Sequence, residues 1–523
     1  MKIKRIIQLS VLTFCALLTS CFGDLDVAPI DKDVTSSKNV YNSPLAYKQG
    51  LAKLYASFIL TGQQGPAGNS DINTSDEGNS SFLRMMWNME ELTTDEAVWT
   101  YPNDFGGTIF NLHNQTWLPT DGVGEFAFAR IINSVVLANE YIRATAGKSD
   151  ADLILYNKEA RFLRALAYYY GINLFGRMPF VTEDDLPGAF LPDEILREDL
   201  FVYVESELKD IQDDLGAPRF EYGRADQAAC AMLLAKLYMN AEVYLGVGND
   251  RYTDAITELN KVITSGYTLS PKYQHNFMAD NNTSPEIILG FTSDSEYSKS
   301  YSAVWTMIMG AAGNLGTTNL GWDGLRTTKA LVNKFAPTDN RGDYFIDEVG
   351  GQKLEIDALN VATDGYGVYK FRNVTSTGGS GDPANTGFVN TDYPLFRLAD
   401  AYLMYAEAVE RGGAGGDAAT AVGYINQLRN RPGETAIGNI TTGDLTLDFI
   451  LDERARELYW EGHRRTDLIR FGKFSGGTYL WPWKGGVKDG ASTPAFRNLF
   501  PVPAADRVLN PKLGQNDGYA GAE

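Results

Sequence analysis

Apolar and aromatic residues recur at helical spacing in several separate stretches, and these stripes constrain the fold more than anything else in the chain. Phe162, Leu166, Tyr169, Tyr170 and Leu174 make one stripe. Tyr252, Ala255, Ile256 and Leu259 make a second, and Leu398, Tyr402, Tyr405, Ala406 and Val409 a third. Further helices are predicted near 45–60, 126–145, 198–215, 417–430 and 447–461. They fall into neighbouring pairs, 226–245 with 251–265 and 395–411 with 417–430. Each pair exposes an apolar face that a neighbouring pair must cover.

Small and aromatic residues alternate within the pairs, as in Ala235-Lys236-Leu237-Tyr238 and Ala401-Tyr402-Leu403-Met404-Tyr405-Ala406-Glu407-Ala408. That pattern resembles tetratricopeptide units. The units are unevenly spaced, so the scaffold is interrupted rather than a regular solenoid. Between the helices, 61–125, 267–394 and 472–523 lack helical period and are rich in Trp, Tyr, Asn, Asp and Gly. Loops of that length in a compact domain are commonly functional. The predicted fold class is mainly α: a tetratricopeptide-like scaffold of helical pairs with long irregular loop insertions that carry the binding site.

Lys2, Lys4 and Arg5 precede an apolar run, 6–18, that ends in Leu18-Thr19-Ser20-Cys21. This is the order of a secretory signal. Its closure on cysteine resembles a bacterial lipobox, with cleavage before Cys21 and lipidation of that residue. The run is too short to span a bilayer as a permanent helix, so residues 1–20 read as a lipoprotein signal peptide and 21–43 as a lipidated tether. A single domain is expected over 44–523. Asp24, Asp26, Asp31 and Asp33 put acid behind the lipid. That resembles the surface-export signals of Bacteroidetes lipoproteins and reads equally well as a solvated tether.

Without the signal the chain holds 43 basic and 66 acidic residues, a net charge of −23. Such a surface repels phosphate backbones, and nucleic acid is not an expected partner. With three histidines and three cysteines, a His/Cys metal site is not expected. Cys230 is the cysteine left after Cys15 departs and Cys21 is acylated, so no intrachain disulfide can form. It shares a stripe with Leu233, Leu234, Leu237, Ala241 and Tyr244, as an inert buried thiol would.

Several motifs resemble the SusD/RagB family. They are Glu159-Ala160-Arg161-Phe162-Leu163-Arg164-Ala165-Leu166-Ala167-Tyr168-Tyr169 followed by Asn173-Leu174-Phe175-Gly176, then Gly223-Arg224-Ala225-Asp226, and Tyr393-Pro394-Leu395-Phe396-Arg397-Leu398. Glu453-Arg454-Ala455-Arg456-Glu457-Leu458, Glu461-Gly462-His463-Arg464-Arg465-Thr466-Asp467, Phe500-Pro501-Val502-Pro503 and Gln515-Asn516-Asp517-Gly518-Tyr519 complete the set. The resemblance implies an outer-membrane, lipid-anchored glycan-binding protein that is not an enzyme and works with a TonB-dependent, SusC-like transporter. The Arg- and Glu-rich run at 453–470 is read as interhelical pairing rather than catalysis.

Asp76-Glu77-Gly78, Glu91-Leu92-Thr93-Thr94-Asp95-Glu96, Gly316-Thr317-Thr318-Asn319 and Tyr479-Leu480-Trp481-Pro482-Trp483 resemble more closely the starch-binding founding member of that family. In that protein an arc of aromatic side chains follows the curve of an α-1,4-glucan. By that resemblance the glycan-binding residues are Tyr101, Tyr301 and Trp322, with Arg84 as a polar contact and Asp104 at the place of a binding asparagine. The implied ligands are starch and malto-oligosaccharides. The sequence departs from the pattern in Tyr101 for a Trp, in Asp104 for an Asn, and in an extra residue, Leu320. Trp305 competes with Tyr301 for the second aromatic place. Trp99 is expected in the core, and Trp481 and Trp483 in packing roles.

The alternatives are a binder of a different glycan, a surface glycosidase and a peptide-binding scaffold. No G-x-S-x-G, H-E-x-x-H or complete P-loop is present, and Ala146-Gly147-Lys148-Ser149 reads as a helix end. A calcium ion could be held by loop carboxylates around Asp294 or Asp392, although no ligand spacing supports one. No other cofactor is expected.

Overall fold

The computed structural model describes residues 37–74, 78–186, 188, 190–311 and 321–522. The sequence motifs at 76–77 and 316–319, Leu320, and the signal, Cys21 and acidic tether therefore lie outside the described residues. The chain divides into two compact units, Met1–Gly50 and Leu51–Glu523. In the first, α1 (Ser37–Val40) precedes the opening of α2 (Pro44–Ala56), and the rings of Tyr41 and Tyr47 stack 5.3 Å apart. The second unit holds the remaining described helices and strands.

Its frame is a run of helices: α3 (Phe82–Glu91), α4 (Gly122–Thr145), α5 (Ala151–Leu174), α6 (Arg197–Ile211), α7 (Gln227–Met239) and α8 (Tyr252–Ile263). After the longest insertion come α9 (Leu398–Glu410), α10 (Ala418–Arg429), α11 (Leu447–Leu458) and α12 (Arg464–Arg470). Their starts are set by short polar side chains that accept the first free backbone N–H groups. Asp150 accepts from Asp152 and Leu153, Asp226 from Ala229, Asp417 from Thr420, and Thr446 from Phe449. α4 ends at Thr145, with Gly147 left-handed just beyond it, so the half P-loop is a helix end.

Neighbouring helices pack as the stripes predict: α4 on α5, α5 on α6, α7 on α8, and α9 on α10 and α11. α8 packs on α9, so the frame closes across the insertion that separates them in sequence. α7 is buried from Ala228 to Met239 and apolar except at Lys236, which pairs with Asp400 at 2.6 Å, as suits a central helix. Cys230 lies within it, fully buried, and burial pushes its thiol well above the usual range.

The insertions are not structureless. They hold α3, a short helix at Ala303–Gly310 and the strands β1 (Val98–Trp99), β2 (Ile287–Phe291), β3 (Leu325–Thr327), β4 (Phe345–Ile346), β5 (Tyr366–Val368) and β6 (Tyr393–Arg397). An antiparallel sheet runs in the order β1-β3-β5-β4, with Val98 opposite Arg326 and Trp99 opposite Leu325. β2 pairs with β6. Strands of two to five residues carry too little period to be read from sequence.

The run at 453–470 is an ion-pair core. The Glu457 carboxylate receives Arg397 at 2.8 Å, Arg431 at 2.5 Å and Arg341 at 2.9 Å. Arg397 also reaches Glu286 at 2.8 Å and Glu461 at 2.6 Å, and Lys370 reaches Glu461 at 2.6 Å. Arg454 binds Asp400 and Asp467, and Arg470 binds Glu407 and Asp467. Arg464 holds Asp95 through two 2.7 Å bonds. The interhelical reading of this stretch is therefore what the structure has.

Truncating one partner in such a cluster leaves the other charges buried and uncompensated. Arg397→Ala is expected to lose about 3–5 kcal/mol of stability in urea denaturation. A loss within experimental error of zero would contradict the burial of these charges.

Candidate functional site

β1 and β3 lie side by side and deliver two aromatic residues at one end. Tyr101 follows β1 by two residues, and Trp322 precedes β3 by three. Their rings lie 6.0 Å apart, tilted by 55°. The Tyr101 hydroxyl donates to the Trp322 carbonyl, and Thr100 N donates to Gly324 O at 2.8 Å, extending the strand pairing. Burial, and then the carboxylates of Asp323 and Asp104, raises the Tyr101 phenol above its usual range, so it remains a neutral donor.

Tyr301 does not meet Trp322 directly. Trp305 stands between them, its ring 6.4 Å from Trp322 and 4.6 Å from Tyr301. Both residues of the competing pair therefore enter one continuous row, Tyr101–Trp322–Trp305–Tyr301. Phe388 follows, 5.3 Å from Tyr301. Trp305 is oriented by its indole N–H, which donates to Gly387 O at 3.0 Å. Tyr101 is exposed and the other rings of the row are half-buried.

The floor of this row consists of glycines that sequence reasoning passed over. A Cβ on Gly324 would stand 2.6 Å from both the Trp322 and the Tyr101 rings. One on Gly310 would stand 3.3 Å from Trp322, and one on Gly78 3.0 Å from Tyr301. The available signal was a glycine on either side of Trp322-Asp323.

Trp99 is 2% exposed and meets Trp322 edge-on at 5.3 Å. Its indole N–H donates to Asp104 at 2.8 Å, so that half-buried carboxylate is partly engaged by the protein. Trp99 N donates to His113 Nε2 at 3.0 Å, which puts the ring proton on Nδ1, donated to Leu92 O at 2.7 Å. Burial pushes His113 down to about 4, so it stays neutral in this bridge. Arg84 is 4% exposed, beneath Phe105 with its guanidinium 5.6 Å from that ring, and donates to Asn79. Trp481 is buried; Trp483 packs near Val98, Ile356 and Leu359 and donates to Ile356 O at 3.1 Å.

The segment that leads from α3 into β1 is bolted to the scaffold. Gly462 N donates to Glu91 at 2.6 Å, Trp460 N to Glu96 at 3.1 Å, and the Trp460 indole to Glu96 O at 3.0 Å. The second carboxyl oxygen of Glu91 has no donor from the protein, and it faces the carboxyl of Glu96. A proton on Glu91 satisfies both groups. Burial first, and then the charge of Glu96, holds Glu91 well above the usual carboxylate range. Burial pushes Glu96 up to about 7.

Among the described residues no group of three or more His, Cys, Asp and Glu could hold a metal ion. Asp294 accepts from the backbone of Glu296 and Tyr297. Asp392 accepts from Ser293 N and the Tyr222 hydroxyl. Asp294 thus closes a local turn, and Asp392 ties together segments distant in sequence. No described helix is long and apolar enough to cross a membrane.

A carboxyl whose folded-state pKa is raised costs stability as pH climbs through the interval between its unfolded and folded values. Wild-type stability should therefore carry a loss from this pair between pH 4.5 and about 7. In Glu91→Gln the amide reproduces the proton donor and cannot ionise, so the share of the slope that belongs to Glu91 should vanish, while Glu96, raised by its own burial, keeps its share. Urea denaturation across the pH range measures it; identical slopes for the two proteins would refute the shared proton.

A model of the SusD family matches residues 350–519. The starch-binding protein SusD of Bacteroides thetaiotaomicron is 36% identical over 99% of this chain and 100% of its own length. The SusD-like protein P38 of Formosa agariphila is 25% identical over 70% of this chain and 74% of its own. Among solved structures, the surface glycan-binding protein A of Bacteroides thetaiotaomicron in complex with laminarihexaose superposes with a TM-score of 0.69. It is 18% identical and covers 90% of this chain and 99% of its own, a likeness of fold. With a full-length relative at this identity, the chain belongs to the SusD family.

Proposed function

We propose that this protein captures starch and malto-oligosaccharides at the cell surface and passes them to a TonB-dependent outer-membrane transporter, without turning them over. The observation that carries this reading is the continuous row Tyr101–Trp322–Trp305–Tyr301. Sugar rings present C–H faces that stack on aromatic planes, each contact contributing about 1 kcal/mol beyond desolvation. Successive ring planes here are tilted by 55°, 46° and 70°. Coplanar rings suit a flat, extended β-linked chain, whereas tilted ones suit the turning faces of an α-1,4-glucan. The full-length likeness to a starch-binding protein supports the same ligand.

A few stacked rings in an open site give affinities of roughly millimolar to micromolar once ordering costs are included. Weak affinity fits capture followed by hand-over. The lipobox-like Cys21 supports an outer-membrane anchor, and the acidic residues behind it support exposure at the cell surface.

Affinity electrophoresis against amylopectin, pullulan, dextran, levan and xylan tests the ligand. Trp322→Ala should weaken retardation by amylopectin strongly, and the triple variant with Tyr101→Ala and Tyr301→Ala should abolish it. Thermal stability should fall by less than about 1 kcal/mol for each partly exposed ring. Trp99→Ala, in the core, should lose about 3–5 kcal/mol. Normal retardation of the triple variant would overturn the site; retardation by a different glycan alone would overturn starch. No new reducing ends should appear when the protein is incubated with starch.

Cys21→Ala is expected to leave the fold intact and move the protein from the membrane fraction to the soluble fraction. Continued membrane association after that substitution would refute the lipid anchor.

A further inference from the structure

The turn that follows Tyr101 opens onto an open cavity of about 740 Å³ that the aromatic row does not use. Asn79, Asn103, Asp104, Phe105, Thr120 and Glu125 are among its lining residues. Its size falls within the range of roughly 300–1,000 Å³ that takes drug-sized ligands, room for more than one hexose ring. Phe105 holds it in an unusual way. Its backbone is left-handed, at φ 51° and ψ 43°, and Gly106 and Gly107 follow at φ 67° and 85°. A bulky residue in that region is strained, and the strain persists where surrounding structure over-determines it. Here the buried Arg84 guanidinium lies 5.6 Å from the ring centre and also grips Asn79 across the cavity wall. The effect is to keep an aromatic face half-exposed at the cavity edge instead of collapsed into the core.

We propose that this cavity is a second sugar subsite, contiguous with the row, in which Phe105 supplies the stacking face. Asn79, Asn103, Thr120 and Glu125 supply hydrogen-bond partners for hydroxyl edges. Asp104 links the two parts: it lines the cavity and accepts the indole N–H of Trp99, which packs on Trp322. Two carboxylates, Asp104 and Glu125, face the space, and the nearby Arg84 is buried beneath Phe105. The subsite therefore takes a neutral oligosaccharide and repels uronic or sulfated chains. This inference rests on the reading of the row as a glycan site and extends the ligand beyond it.

Calorimetric titration of the mature protein with maltotriose and maltoheptaose tests the subsite. The wild type should gain affinity with length, and Phe105→Ala should cut that gain by about fivefold, the scale of one aromatic stacking contact. Phe105→Gly removes the same face while relaxing the left-handed backbone, so it answers the question if the alanine variant fails to fold. An undiminished gain in both variants, or no gain in the wild type, overturns the subsite. If the wild type ignores malto-oligosaccharides, the length comparison moves to the laminari-oligosaccharide series. A Phe105 effect there upholds the subsite and refutes starch alone, and failure of the wild type to bind either series refutes both. Preference for an oligogalacturonate overturns the neutral specificity.

Discussion

The carboxylate of Glu457, held by three arginines from three other parts of the chain, is the interaction on which the rest of the molecule depends. Arg341 comes from the long insertion, Arg397 from the end of β6 and Arg431 from beyond α10. Taking such charges out of water costs several kcal/mol each, and only close geometry with every lone pair and proton engaged offsets it. That cost is why the arrangement selects one topology: Glu286, Glu457 and Glu461 can be neutralised together only when β2, β6 and α11 are in register. Here the ionic core does for the insertions what apolar stripes do for the helix pairs.

The same stretch then reaches into the binding region. Trp460, Gly462 and Arg464 hold Glu96, Glu91 and Asp95, and two residues beyond Glu96 the strand β1 begins. Arg326 in β3 is clipped from the other side, its guanidinium donating to the carbonyls of Leu359, Val361 and Asp364. Short strands that would be marginal alone are thereby fixed at both ends. The aromatic row stands on a rigid floor, although Tyr101, Tyr301 and Trp322 lie outside regular helices and strands, and a preformed row loses less entropy on binding than a mobile one.

How much of this was legible depended on period and on range. The helix pairs were, because 3.6-residue stripes such as Phe162–Leu166–Tyr169 repeat over several turns. The ionic reading of 453–470 was, because a run so dense in Arg, Glu and Asp has no cheaper explanation than pairing between helices, as Arg454 with Asp400 and Asp467 has it. α3 was not, since Glu90, Glu91, Asn88 and Arg84 break its apolar pattern although all are buried. The strands were too short to show alternation. In the site, the first and third aromatics came from a resemblance that the chain's membership in the family supports. Trp305 as a bridge, Gly324 as a floor and Phe105 as a strained face are relations between distant segments, which no local pattern records.

Tyr101 stands, by the resemblance, where a tryptophan is expected, and its phenol has a use of its own. A smaller ring offers less stacking area, yet the phenol gains a donor that closes on the carbonyl of Trp322. That bond joins the segments beside β1 and β3 directly. Gly324, in turn, has no side chain because both rings press on the position. Tyr101, Trp322 and Gly324 thus form one unit in which the hydroxyl is engaged by the protein and, in the proposed function, the ring face is left to the ligand. With that hydroxyl engaged, a sugar bound as proposed would find its polar partners elsewhere, and Asn103 and Asp104 of the neighbouring cavity lie within the same turn of chain.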